Sequence, residues 1–276
     1  MGAQARVACA QQLIGGVMNR KFRRLLAAAS VVGMGAVATG PPAGSAAGST
    51  IFHRPRIRLA GSGNRAAGWS SSNWSGYALS GSGYNSVTAQ WVVQSVARSR
   101  KATYSSEWVG IDGYNNSSLI QTGTESDYYN GAAHYDAWWE ILPAAETVIP
   151  SIPVSPGDHM SAAITKGSGS SWTITINDTT RNTSFSTTQT YTGPQTSAEW
   201  IEEAPTVGGR IAPLANYGQT TFDPGTVNGN NPGLSASDGG VMTQKGVQVS
   251  TPSNPDSEFD GFNMAYGATA PSPPTS

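Results

Sequence analysis

The sequence predicts an all-β fold, two antiparallel sheets packed as a sandwich, on three observations. The body of the 276-residue chain shows almost no helical periodicity. Short runs of β-branched and aromatic residues recur along it, punctuated by Gly, Asn, Ser and Pro. One run, His134 to Leu142, alternates at period two, placing Tyr135, Ala137, Trp139 and Ile141 on one face and Asp136, Trp138 and Glu140 on the other. The first face reads as core. Two carboxylates beside an indole make the second unusual for a plain solvent face.

In chain order, the predicted strands cover residues 87–93, 107–111, 118–124, 134–142, 161–165, 172–177, 184–191, 198–203, 241–249 and 259–266. Many short, evenly punctuated strands fit a sandwich better than any α-containing architecture. No internal repeat of fixed period is present.

Four segments are expected. Residues 1–47 read as an export signal: the basic run Arg20-Lys21-Phe22-Arg23-Arg24, an apolar stretch from Leu25 to Ala38, then Pro41, Pro42 and small residues. The apolar stretch is rich in Ala and Gly and short for a bilayer, which needs roughly twenty residues. Met18 is a second candidate start. Residues 48–69 form a basic prosegment containing His53-Arg54-Pro55-Arg56-Ile57-Arg58, too short and polar to fold alone. Residues 70–267 are the folded body, and the Pro/Ser/Thr-rich residues 268–276 read as a disordered tail. Secretion to the extracellular space, with no membrane attachment after signal cleavage, follows from this order.

The only cysteine, Cys9, lies in the signal, so the processed chain is expected to hold no disulfide and no thiol nucleophile. Charge is divided sharply. All 17 acidic residues lie at or beyond Glu107, whereas nine of the 16 basic ones precede residue 70. An acidic body argues against a nucleic-acid partner. Sequons in four stretches, at Asn73, Asn115-Asn116, Asn177 and Asn182, matter only where the host glycosylates.

Several catalytic arrangements are missing from the sequence. It has no Gly-x-Ser-x-Gly elbow, no His-Glu-x-x-His helix, no phosphate-binding loop and no Asp-Thr-Gly motif. His53, His134 and His159 are scattered; His53 lies in the leader, and His134 and His159, which could complete a metal site only with carboxylates, read as surface residues, so neither a metal nor a cofactor is expected.

Two stretches stand out. One is Trp108-Val109-Gly110-Ile111-Asp112-Gly113, followed by Leu119-Ile120-Gln121-Thr122-Gly123; the other is Ser197-Ala198-Glu199-Trp200-Ile201-Glu202-Glu203-Ala204-Pro205. Together with Ser72-Asn73-Trp74-Ser75-Gly76 and Tyr135-Asp136-Ala137-Trp138-Trp139-Glu140, they resemble the glutamic peptidase family, the eqolisins, in order and at compatible spacing from about Asn73 to Phe222. The resemblance implies a sandwich of two curved antiparallel sheets, jelly-roll or concanavalin-like. It implies that Gln121 and Glu203 are the catalytic pair, and that Trp108, Asp112, Asp136, Trp138 and Glu140 belong to the substrate cleft. The position before the catalytic glutamate is usually apolar in that family, and here it is Glu202. On residue chemistry alone Glu202 and Glu203 are equivalent; the motif match selects Glu203.

The implied chemistry is coherent. A glutamate with an ordinary pKa of about 4.3 remains a usable base in mild acid, where histidine is protonated. A glutamine amide offers N–H donors that do not titrate, and one such donor to an oxyanion is worth roughly 3–4 kcal/mol. The expected function is a secreted, acid-active endopeptidase acting on polypeptides as a monomer. Few basic residues in the body also leave few acid-labile ion pairs, so stability in mild acid and weakness at neutral pH are expected. Two rivals use the same residues: a glycoside hydrolase with Asp136 and Glu140 as acid and base, and a non-catalytic carbohydrate-binding module using the tryptophans. Both leave Gln121 and Glu203 without a role. A last expectation is that Arg54, Arg56, Arg58 and Arg65 bind the acidic cleft near Asp112, Asp136 and Glu140.

Overall fold

A computed structural model describes residues 50–59 and 68–275; the export signal and Arg65 lie outside the described residues. The first strands are β1 (Ile51–Phe52), β2 (Trp69–Ser71), β3 (Trp74–Ser80), β4 (Ser86–Val92), β5 (Ser106–Ile111), β6 (Ile120–Tyr129) and β7 (Ala132–Ile141). They continue as β8 (Thr147–Pro153), β9 (His159–Lys166), β10 (Ser171–Asp178), β11 (Thr183–Thr190), β12 (Ser197–Glu203), β13 (Thr206–Val207) and β14 (Arg210–Ile211). The last are β15 (Gln219–Phe222), β16 (Thr226–Val227), β17 (Gly239–Gln244), β18 (Val247–Pro252) and β19 (Phe262–Tyr266).

Hydrogen bonding follows the path β11-β10-β9-β4-β15-β19-β18-β17-β3-β12-β5-β6-β7-β8, antiparallel throughout, with β2 added parallel to β17. The path folds over on itself. Val87, Ala89 and Trp91 of β4, Ala162 and Ile164 of β9, and Ile174 and Ile176 of β10 share one core with Val109 and Ile111 of β5, Ile120 of β6 and Ala137 of β7. This is the predicted sandwich: each sheet half can remove its apolar face from water only against the other.

The alternation read in residues 134–142 is the arrangement found. Ala137 is buried in the sandwich core with Tyr135, Trp139 and Ile141 packed against it, while Trp138 joins a second apolar cluster with Trp69, Trp74, Trp108, Leu119 and Ile201. That second cluster marks the opposite face of β3, β12, β5, β6 and β7.

Two sequence expectations differ from the structure. Residues 241–249 form not one strand but a hairpin, turned at Lys245-Gly246, where both residues adopt the left-handed conformation. The segment expected to be a disordered tail is placed through Thr275: Asn263 Nδ2 donates to the Ser272 carbonyl at 2.9 Å, and Ala270, Pro271 and Pro273 line a 270 Å³ cavity beside Tyr77. Prolines suit this path, because coil that pairs with no strand needs few N–H donors.

Candidate active site

Four adjacent strands bring every predicted site residue except Asp112 onto a single face. Their register makes three rungs across β12, β5, β6 and β7. The first holds Glu203, Ser106, Glu125 and Asp136; the second Ile201, Trp108, Gly123 and Trp138; the third Glu199, Gly110, Gln121 and Glu140. Directly opposed residues share a face, so Glu203 and Gln121 project to the same side two rungs apart. Glu202 points the other way, into the sandwich, as alternation requires. Gly123 has a steric reason. A Cβ there would lie 2.1 Å from the Glu107 carbonyl oxygen and 2.5 Å from Trp108 Cβ, so only glycine lets β6 close against β5 beneath the Trp108 ring.

Glu203 is fully buried, and both of its oxygens are engaged. Trp108 Nε1 donates to Oε2 at 2.9 Å, and Asn73 Nδ2 reaches Oε1 at 3.4 Å. Gln121 Nε2 donates to Glu140 Oε2 at 2.6 Å. Burial is the main reason that the Glu140 carboxyl is pushed up to about 8; the nearby His53 opposes this and the charge of Glu203 adds to it. Trp138 donates from Nε1 to Ser106 Oγ at 3.1 Å, which fixes its ring as the floor between Glu203 and Glu140. Asp136 is exposed at the rim, its carboxyl raised by partial burial and by Glu146.

Asp112 is the residue that does not join them. It sits beyond the far end of β5 in the left-handed conformation, followed by Gly113. Its carboxylate accepts from Tyr191 Oη, the backbone N–H groups of Gln195 and Thr196, and Asn116 Nδ2 at 2.6–2.9 Å. Those bonds saturate it. In this structure it staples the 191–196 loop to β5.

The leader enters the same face. Ile51 and Phe52 pair antiparallel with Val207 and Thr206, just after the Glu203 strand. His53 of this leader is completely buried. Its ring stacks on Trp138 with centroids 3.6 Å apart and planes within 6°. Nδ1 lies 3.1 Å from Glu203 Oε2, and Nε2 lies 3.1 Å from Glu125 Oε1 and 3.2 Å from Glu146 Oε2. Burial alone would favour a neutral ring, but Glu203, Glu125 and Glu146 outweigh it and hold the imidazole pKa well above the ordinary value. The next backbone N–H, that of Arg54, donates to Glu203 Oε1 at 3.1 Å.

The leader then continues beside Asn73. The Asn73 amide donates to the Arg54 and Pro55 carbonyls and accepts from the Ile57 N–H at 2.8 Å. Asn73 is buried, so its sequon is closed to a glycan in the folded chain. Arg56 lies 3.7 Å over the Tyr114 ring and donates to the Tyr114 carbonyl, and Arg58 donates to Asn115 Oδ1. The arginine–carboxylate contacts expected of the leader are therefore not its anchor: among the described residues its ion pairs are all made by His53. A guanidinium reaching aromatic faces keeps much of its edge in water, which is less costly than full burial of that charge.

Glu125, Glu146 and His53 were not picked out as site residues from the sequence. Glu125 had a readable signal, since it lies four residues after Gln121 on one strand and so shares its face. Glu146 comes from the β7–β8 connection, which no pattern placed. Among the described residues, two sets of donor atoms converge within 4.8 Å and could hold a cation: His53, Glu125 and Glu146, and separately Asp223, Asp256 and Asp260. In the first, the protonated imidazole itself supplies the positive charge.

Chemically, the face offers a buried carboxylate, an amide donor and an indole floor, with an extended chain laid across them. The sequence profile described as the Peptidase A4 family matches residues 72–259. Aspergillopepsin-2 from Aspergillus niger is 31% identical over 198 residues, 62% of this chain and 70% of that protein. Scytalidopepsin B from Scytalidium lignicola is 34% identical over 137 residues, 48% of this chain and 51% of that one. A crystal structure of scytalido-glutamic peptidase with a transition state analog inhibitor matches with a TM-score of 0.61 at 25% identity, over 71% of this chain and 98% of that one. On the profile match, the relatives and the shared fold, this chain belongs to the Peptidase A4 family, the glutamic peptidases or eqolisins, which hydrolyse peptide bonds.

Proposed function

We propose that this chain is a secreted, acid-active endopeptidase made as a precursor, in which Glu203 activates water and Gln121 stabilises the oxyanion. The observation that supports this best is the leader itself, an extended peptide whose backbone N–H sits 3.1 Å from Glu203 Oε1. A carboxylate that meets peptide backbone at this range is within reach both to take a proton from water and to return it to a leaving amine. Trp108, donating to Oε2, holds the carboxylate's orientation. In the same reading Glu140, largely neutral below pH 8, fixes the Gln121 amide, so that its second N–H remains a donor for the developing oxyanion. Trp138 and Asp136 contribute the floor and rim of the substrate cleft.

Residues 48–69 act as the inhibitory prosegment. His53 closes the cleft by occupying Glu203 Oε2, the oxygen a catalytic water needs. Burial has pushed the Glu125 carboxyl up to about 7, so as the pH falls through that value it gives up its charge and the imidazolium loses a partner. Secretion is supported by the order of basic, apolar and small segments in residues 19–48.

The test is digestion at about pH 3 of a denatured protein and, separately, of polysaccharides. Peptide products alone support the proposal. Sugar products would support the glycosidase reading, and neither product would support a binding module.

A further inference from the structure

We infer that the His53–Arg54 peptide bond is the bond this enzyme cuts first in its own leader, and that Trp138, Glu125 and Glu146 form a side-chain subsite that selects an imidazole, or a cation of similar size, on the amino side of the scissile bond. The inference rests on the peptidase reading above and adds to it a bond and a specificity.

Three observations converge on that bond. The Arg54 nitrogen is the leader backbone nitrogen that bonds the Glu203 carboxylate, at 3.1 Å, and the His53 carbonyl carbon is covalently next to it. The chain on either side is held as an extended substrate would be: Ile51 and Phe52 pair with β13, and Arg54 and Pro55 accept from Asn73. The His53 side chain fills a site built for it, flat on Trp138 with both ring nitrogens facing carboxylates. Around the ring, β7 contributes Trp138 and Glu140, β6 contributes Glu125, β12 contributes Glu203, and the β7–β8 connection contributes Glu146. A leucine there could still cover the Trp138 face but would remove the imidazole that lies 3.1 Å from the buried Glu125 carboxylate and 3.2 Å from Glu146.

The resting pose is nonetheless uncut. The imidazole Nδ1 lies on Glu203 Oε2 while Arg54 takes Oε1. Once the ring swings off Oε2, a water can bind there. Ionised Glu203 takes a proton from that water as its oxygen bonds to the His53 carbonyl carbon, and the carbonyl oxygen becomes the alkoxide. When the alkoxide collapses, the C–N bond breaks, its electron pair stays on the Arg54 nitrogen, and Glu203 returns the proton to that nitrogen. One water is consumed. The products are a chain ending in the His53 carboxyl group and a chain beginning with the Arg54 amine.

The experiment acidifies the purified precursor to about pH 4, quenches it over time, and reads intact masses and new N-termini. Arg54 is expected as the earliest new N-terminus, with a partner fragment ending at His53, at a rate independent of protein concentration. An earliest cut at any other bond overturns the inference. So does an Arg54 terminus whose rate rises with concentration, since the cut would then be made by a second molecule. A peptide spanning residues 50–59, given to the processed enzyme, should be cut between His and Arg. Replacing its His by Leu should slow that cut roughly 10- to 100-fold, the equivalent of one charge-assisted hydrogen bond. The Glu146→Gln enzyme should show a smaller preference of His over Leu, and an unchanged preference overturns the subsite. A denatured protein digested alongside separates the two levels. If it is cut while Arg54 never appears, this inference alone fails; if neither is cut, the peptidase reading fails with it.

Discussion

Replacing Glu107 by Gln should make the protein more stable at neutral pH and slightly less stable in acid. Glu107 lies inside the sandwich on β5, opposite Glu202 on β12 and Thr124 on β6. Both glutamates are fully buried, Glu107 Oε1 and both oxygens of Glu202 have no hydrogen-bond partner among the described residues, and the charges that act on them are those of other carboxylates. Burial, with the charge of Glu125 adding to it, raises the Glu107 carboxyl from 4.5 to about 8 despite its bond from the Thr124 hydroxyl. A folded-state pKa above the unfolded one means that the native protein holds a proton the unfolded chain has released. The group's contribution is therefore intact below about pH 4.5 and is lost as pH rises toward 8. At about 1.4 kcal/mol per pH unit, that loss reaches about 3 kcal/mol by pH 7. Gln cannot ionise, so it removes the loss, but its buried amide needs partners and costs about 1–3 kcal/mol at every pH. Denaturant melts of the processed parent and of Glu107→Gln at pH 3.5 and 7.5 should cross: the variant weaker in acid, stronger near neutral. Parallel pH dependence in the two proteins would refute the reasoning.

Other outcomes follow from the same geometry. The His53→Gln precursor should digest a denatured protein at pH 5–6 before any conversion, where the parent precursor is silent; changing Arg54, Arg56, Arg58 and Arg65 to Gln should have a smaller effect on this leak. Gln121→Ala should lose roughly a hundredfold or more in kcat while retaining the melting profile of the parent. Chelators, serine-directed reagents and thiol reagents should leave proteolysis unchanged, and loss of activity with a chelator that zinc restores would sink the carboxylate mechanism.

The parts of the molecule legible in the sequence are those carried by local pattern. Alternation at period two put Trp138 and Glu140 on one face and Ala137 on the other, and the same rule separated Glu202 from Glu203. The strands Trp74–Ser80 and Gln219–Phe222 do not stand out locally: the first mixes its apolar residues with Ser and Gly, which carry little strand signal, and the second is only four residues long. The site was readable only where a strand supplied it. Nothing local to a basic, Pro-containing leader announces the burial of His53; its place depends on Glu125 and Glu203, 72 and 150 residues away in sequence. Net charge said that the leader would meet the acidic body. It could not say that one imidazole, rather than the guanidinium groups of Arg54, Arg56 and Arg58, would make the contact, since that depends on the flat Trp138 floor and on carboxylates close enough to bracket a small ring. Scarce ion pairs are one reason to expect stability in acid, and the buried, partly unpaired carboxyls of Glu107 and Glu202 are a second and more direct one.

The central claim, that Glu203 is the group that activates water, is tested most directly by comparing Glu203→Gln with Glu202→Gln in the digestion of a denatured protein at pH 3. Both variants should fold, as judged by circular dichroism and melting in acid. Glu203→Gln should lose on the order of a thousandfold or more in rate, and Glu202→Gln, whose side chain points into the sandwich, should retain most of its activity. An active Glu203→Gln enzyme beside a dead, folded Glu202→Gln enzyme would contradict the account.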